Sequence, residues 1–208
     1  MDAARLQETI DWLMDGARSA PTPKALMGQA CERLVAAGLP LSRGAAFVRS
    51  LHPDIFGRYF VWRPGAGVVV NDANFELPES PQFTQSPLAV LYESGHEVRY
   101  RLDDPETQRF PFFDDMRKEG VTDYIALPLH FTDGSIHSSS RTTKAASGFS
   151  DEQLDALRKV ARPSRAWAKS SSFAATRPRC LIPMWAIAPA SASLRARFAA
   201  ATPKPCKL

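Results

Sequence analysis

The residues able to carry chemistry are few and scattered. The four histidines, His52, His96, His130 and His137, lie far apart in the chain. His130 and His137 flank a Thr132-Asp133-Gly134 turn and can face each other across a hairpin. A metal site there needs one or two further ligands, so hairpin residues turned to solvent are the simpler expectation. Cys31 sits in an Ala/Leu-rich helical stretch and reads as a small buried residue. With Cys180 and Cys206 it makes no disulfide framework, a usage that suits a reduced cytoplasm. The acid pairs Asp103-Asp104 and Asp114-Asp115 invite an acid/base or metal reading. Neighbouring carboxylates on a helix point in different directions, however, and solvated helix ends explain them better. Arg58, Arg63, Arg99 and Arg101 fall on predicted strands. Guanidinium groups pair well with phosphate or carboxylate, so these four line either an anion pocket or a solvent-facing strand side. No G-x-G-x-x-G, G-x-x-x-x-G-K, H-E-x-x-H or G-x-S-x-G occurs. No catalytic residue and no metal ligand is therefore assigned.

The elements that must position these residues follow from periodicity and turn signals. Residues 2–18 place Leu6, Ile10, Leu13 and Ala17 at helical spacing. Pro21 ends that stretch, Thr22 caps the next helix with Pro23 at its first position, and Gly38 stops it. Ala45–Leu51 and Ile55–Trp62 are aromatic and β-branched and read as two strands joined at His52-Pro53-Asp54. A turn at Pro64–Gly67 leads to a short third strand, Val68–Val70, and then to a polar loop over 71–86. Leu88–Glu93 reads as a short helix closed by Gly95. Glu97–Leu102 alternates as a strand, with Val98, Tyr100 and Leu102 on one face. A helix beginning at Asp104 or Thr107 runs through Lys118 to Gly120. Val121–Phe131 is a strand whose Pro128 predicts an edge position or a break. Ser135–Lys144 returns as a strand polar on both faces, hence weakly specified in register. Ser150 caps a last helix carrying Leu154, Leu157, Val160 and Ala161. The order α-α-β-β-β-α-β-α-β-β-α predicts an α+β fold, a largely antiparallel sheet with helices packed on one side.

Charge divides the chain. The 208 residues carry 26 Lys+Arg and 22 Asp+Glu, a formal net charge of +4. Residues 1–162 hold every acid and carry −4, while residues 163–208 hold none and carry +8. The basic pI therefore belongs to the tail, and nucleic acid is not the expected partner of the body. The tail's six prolines and lack of acids predict disorder from residue 163 onward. A basic arm for nucleic acid or anionic lipid is the alternative, weakened because the charges are spread out. No stretch approaches the ~18 apolar residues of a membrane span. Asp2, Glu8, Asp11 and Asp15 are wrong for a secretory leader.

Several stretches resemble the N-terminal region of bacterial class III adenylate/guanylate cyclases. They are Ile10–Leu13 with Gly16–Arg18, Leu34–Gly65 (LVAAGLPLSRGAAFVRSLHPDIFGRYFVWRPG), Glu119–His137 (EGVTDYIALPLHFTDGSIH) and Gly148–Pro163 (GFSDEQLDALRKVARP). The resemblance spans most of residues 5–162 and implies a regulatory domain of the GAF/PAS type. In such a domain Phe60, Trp62, Tyr124 and His130 are candidate ligand-binding residues. It also implies a homodimer, since these cyclases build their active site by dimerising, and Mg or Mn in the full-length enzyme. The metal-holding aspartates of the cyclase domain have no counterpart here, so this chain carries no cofactor of its own.

The same family continues with a linker of the form L-L-D-T-Y-V-G-x-x-A-G-E-R-I-L-x-G, which is absent. Met184-Trp185-Ala186 must be encoded ATG TGG GCN. Read one base earlier, that stretch forces Val-Gly and permits Tyr before it. Residues from about 163 onward are thus expected to be an out-of-frame reading of a cyclase gene. The functional expectation is a cytoplasmic sensor domain of a cyclase, lacking its catalytic half. A free-standing small-ligand or protein-interaction module with a basic tail is the alternative, and a small enzyme with an unrecognised site comes third.

Overall fold

Chain-reversal signals set the frame of the molecule. In the computed structural model the described residues are 1–49, 56–131 and 135–162. They fall within the first of two compact units, Met1–Arg177. Helix α1 (Ala3–Met14) is capped by Asp2, whose side chain accepts from the amides of Ala4 and Arg5. It stops short of the expected residue 18 because the backbone turns left-handed at Gly16 and Ala17 (φ 87° and 46°). Ala17 is fully buried there, so the helical spacing that included it came from a residue of the following turn. Helix α2 (Pro23–Ala36) begins as expected at Thr22, which accepts from Ala25, and ends before Gly38 at φ 92°.

Six strands follow: β1 (Leu41–Arg49), β2 (Gly57–Arg63), β3 (Gly67–Ala73), β4 (Val98–Arg101), β5 (Asp123–His130) and β6 (Ile136–Thr143). They form one antiparallel sheet in the order β3-β2-β1-β6-β5-β4. The 71–86 stretch is more structured than a loop. β3 runs on to Ala73, and single turns follow at Leu77–Glu79 and Pro81–Thr84 (α3). Helix α4 (Pro87–Ser94) closes at Gly95. The long helix expected between Asp104 and Lys118 is broken into 3₁₀ turns at Pro105–Arg109 and Pro111–Phe113 before α5 (Asp114–Lys118). Pro111 is the reason, since it lacks an amide hydrogen and forces the preceding residue out of helical geometry.

The return strand is the largest departure. β6 was expected to be weakly specified, but it lies in the middle of the sheet between β1 and β5, and it is buried from His137 to Thr143. Two full ladders hold its register, Ala45↔Ser140 on one side and Ala126↔Ser140 on the other. Pro128 lies on an internal strand, but β4 pairs only with Asp123–Ala126, so the missing amide falls where β5 has no neighbour on that side. The Thr132–Gly134 turn, the 50–55 connection and the tail from 163 lie outside the described residues.

One face of the sheet packs against α1, α2 and α6 (Asp151–Ala161) through a core that includes Leu13, Leu34, Phe60, Trp62, Ile125 and Leu157. The other face carries a smaller core over β4 and β5, built from Leu91, Phe110, Phe113, Met116 and Tyr124. Helix α6 opens on a complete capping box. Ser150 Oγ accepts from the Gln153 amide (3.3 Å), and Gln153 Oε1 accepts from the Ser150 amide (3.0 Å). Ser150→Ala is expected to cost about 1 kcal/mol in urea unfolding. A loss below ~0.3 kcal/mol would mean that neighbouring contacts alone hold this helix end.

Candidate functional site

Pleating divides the site candidates between two faces. Ala46, Val48, Phe60 and Trp62 point to the helix layer, as does Gly44, where an added Cβ would meet Cys31 Sγ at 2.6 Å. The alternate residues Arg43, Ala45 and Phe47 therefore point to the second face, with Tyr59 and Val61 paired opposite Phe47 and Ala45. Down the middle of that face runs a strip of small hydroxyl side chains, Ser138, Ser140 and Thr142, flanked by Ala45 and Ala126.

The strip has distinct walls. Tyr92 of α4 donates from its hydroxyl to Ser138 Oγ (3.2 Å) and packs at 5.8 Å against Phe83 with the rings tilted by 41°. Phe47 packs against Tyr59 (4.7 Å) and Phe56 (6.0 Å), and Arg49 lies 4.9 Å over the Phe56 ring. Burial pushes the Tyr59 hydroxyl up to about 12 and raises that of Tyr92 further. Beyond Tyr59 the face opens. Val69 of β3 and Phe75 are each 57% exposed. The α4–α5 segment covers the β4–β5 half of this face, and among the described residues no helix covers the β2–β3 half.

The four sequence candidates do not converge. Phe60 and Trp62 are buried in the helix-facing core. Tyr124 is fully buried in the smaller core on the other face. His130 is exposed at the end of β5, six residues along from Tyr124, or about 20 Å at strand rise. His130 and His137 do not face each other either. His130 pairs with Ile136 and His137 with Leu129, so the two rings lie on opposite faces. His137 is buried, accepts from the Arg49 amide at Nδ1 (2.9 Å) and has Nε2 3.0 Å from Ser135 Oγ.

The strand arginines are committed to partners rather than to an anion pocket. Arg58 pairs with Asp72 (2.7 Å) and Arg63 with both oxygens of Glu119 (2.6 and 2.9 Å). Arg99 pairs with Asp123 (2.7 Å), and Arg101 donates to the Ser147 and Ala146 carbonyls. Hydrogen bonding to Arg63 holds the Glu119 carboxyl below its usual range. Asp114 and Asp115 pair with Arg117 and Lys118 on the α5 surface. Cys31 is a small buried residue whose thiol is raised by burial. Among the described residues no three His, Cys, Asp or Glu side chains come together as metal ligands.

Two arginines escape a reading by strand pattern. Arg141, 2% exposed on the helix face, donates from Nη1 to Ala45 O, Ser139 Oγ and Ser140 O (2.8–3.1 Å) and leaves Nε without a partner. The depression beside it, lined by Leu127, Leu157 and Val160, is too narrow for a water molecule. Arg43 precedes the expected start of β1, and a β-bulge between Leu41 and Arg43 sets it opposite Thr142. The run of Ser and Thr on β6 was the signal for the strip, but its meaning depended on burial.

No protein-family pattern and no curated protein sequence matches the chain. Solved structures do. The GAF domain of a phosphoenolpyruvate-protein phosphotransferase from Acinetobacter superposes with a TM-score of 0.55 at 11% identity, over 84% of this chain and 96% of that one. The corresponding GAF domain from Coxiella burnetii gives a TM-score of 0.51 at 13% identity, over 77% of this chain and 90% of that one. The chain therefore has a GAF-like fold, a six-stranded antiparallel sheet in a mixed α+β arrangement. No helix among the described residues is long and apolar enough to cross a membrane.

Proposed function

We propose that this chain is a cytoplasmic regulatory sensor domain that binds a small ligand on the second face of its sheet. One observation carries the reading. The long helices and the larger core occupy one face, whereas the other carries a buried hydroxyl strip with aromatic walls, beside a β2–β3 half that no helix among the described residues covers. Mostly apolar surroundings with a few convergent polar groups are what line small-molecule sites. Of the four sequence candidates, Tyr124 borders this site. A screen of small neutral and charged fragments by NMR tests the reading. Shifts are expected at Ala45, Tyr59, Val61, Val69 and Ser138. Shifts confined to α1, α2 and α6, or none at all, would overturn it.

The finer reading is that this domain belongs to a class III adenylate/guanylate cyclase, where it would act on a dimer of catalytic domains. The GAF-like fold over the stretches that resemble that family supports it. The gene read one base earlier past codon 163 should encode D-T-Y-V-G, and any other reading there removes the frameshift. The purified chain should make no cyclic AMP from ATP with Mg or Mn, and measurable product would assign it a catalytic centre.

A further inference from the structure

Row by row, the second face brings one charged and one neutral donor together with no carboxylate paired to either among the described residues. The row nearest the end of the sheet runs Arg43 on β1, Thr142 on β6, Tyr124 on β5 and Tyr100 on β4. Tyr124 is fully buried, and its hydroxyl lies beside that of Ser140 without reaching good hydrogen-bond geometry with it. Arg43 makes no hydrogen bond or ion pair among the described residues, although it is partly buried. A buried hydroxyl left poorly paired and a desolvated guanidinium left without a counter-charge are both costly, and proteins keep such groups mainly where something else completes them. Ser42 and Thr142 add hydroxyls 2.8 Å apart beside the same row.

The charge around this row is one-sided. Arg43 feels Arg63 and Arg141 as like charges, and among the described residues Glu119 is the one carboxylate that acts on it. Both Glu119 oxygens are already taken by Arg63, and Lys144 also lies within its field. Burial lowers the Arg43 pKa without displacing its charge from the working pH range.

We infer that Arg43 and Tyr124, with Thr142 between them, form an oxyanion subsite that takes the carboxylate or phosphate of the domain's small ligand. The inference rests on the sensor reading above and narrows its ligand to an anion. Arg43 supplies the charge, and the Tyr124 hydroxyl supplies a neutral donor that selects an acceptor oxygen. The Arg63–Glu119 pair joins β2 to the end of α5 at this end of the face and keeps the single carboxylate away from Arg43.

The test is titration of the isotopically labelled full chain with inorganic phosphate, with benzoate and with neutral benzamide, at constant ionic strength set by sodium chloride. Both anions, or one of them, should shift the Arg43, Thr142 and Tyr124 signals and saturate in the ~1–10 mM range. Saturation by phosphate alone assigns a phosphate-bearing ligand, and by benzoate alone a carboxylate. Arg43→Met should weaken binding at least tenfold, and Glu119→Gln should tighten it by releasing Arg63. Opposite signs from two variants cannot come from unfolding. Tyr124→Phe should weaken binding several-fold while raising the melting temperature by roughly 2–4 °C, because it deletes a poorly paired buried hydroxyl. Shifts no different from those of chloride, or an unchanged Arg43→Met, would overturn the subsite. If benzamide still binds the face, the sensor reading survives that failure. If nothing binds and the fragment screen is also empty, both fall.

Discussion

Replacing Asp123 by alanine is expected to destabilise the domain by about 3–5 kcal/mol, a drop in Tm on the order of 10 °C. Asp123 is fully buried and accepts from Arg99 Nη2 (2.7 Å) and from the Phe149 amide (2.9 Å). Arg99 also donates to the Phe149 carbonyl (3.0 Å), so the carboxylate and the guanidinium hold the amide and the carbonyl of one residue, the two peptide groups that flank Phe149. Removing the carboxylate leaves a partly buried guanidinium without its counter-charge and the buried Phe149 amide without an acceptor, which costs more than the pair contributed. The same junction explains Gly148. It has φ 72°, and a Cβ there would collide with Asp123 and Arg101. Asp123→Asn keeps an acceptor for the Phe149 amide and should cost clearly less than the alanine change. Chemical denaturation of the three proteins measures the difference. A loss under ~1 kcal/mol for Asp123→Ala would show that water replaces the carboxylate at no great cost.

Trp62→Ala is the second large effect, at about 3–5 kcal/mol. Trp62 is 3% exposed and belongs to the core under α1, α2 and α6. Its neighbour Val61 points to the open second face and is only partly buried. Val61→Ala should cost about 1 kcal/mol or less, since little surrounding structure closes over it. The pair therefore tests the assignment of faces at adjacent positions. Equal losses would mean that the second face is as tightly covered as the first. Trp62→Ala should also leave the fragment-induced shifts on the second face in place for whatever fraction remains folded. That result would separate Trp62 from ligand binding, a role its aromatic character invited.

Local chemistry was legible wherever a single residue type settles a backbone problem. Thr22 with Pro23, and Ser150 with Gln153, start helices through bonds within four residues of sequence. Gly38, Gly95 and Gly120 end elements because their positive φ is cheap only without a Cβ. Aromatic and β-branched runs marked β1, β2 and β5, and together with these turns they defined an antiparallel α+β sheet. Pro111 shows the limit of periodicity, since one missing amide hydrogen turned an apparent helix into 3₁₀ turns.

What needed the assembled sheet was the neighbour relation between segments remote in sequence. The Ser/Thr-rich β6 has no apolar face to choose its partners, yet its ladders to β1 and β5 put it at the centre. Its hydroxyls became a strip on one face only because the pleat turned Arg141 to the other. Phe60, Trp62, Tyr124 and His130 looked equivalent as aromatic strand residues, but pleat parity and strand order sent the first two to one core and Tyr124 to the other. Arg43 and Tyr124 are 81 positions apart in the chain. They share a row because both are paired to Thr142, and a bulge in β1 aligns the first of them. Caps and turns are short-range and can be read from residue identity. Burial, pairing and the field at a charged group depend on which distant strands lie alongside, and tertiary packing settles those.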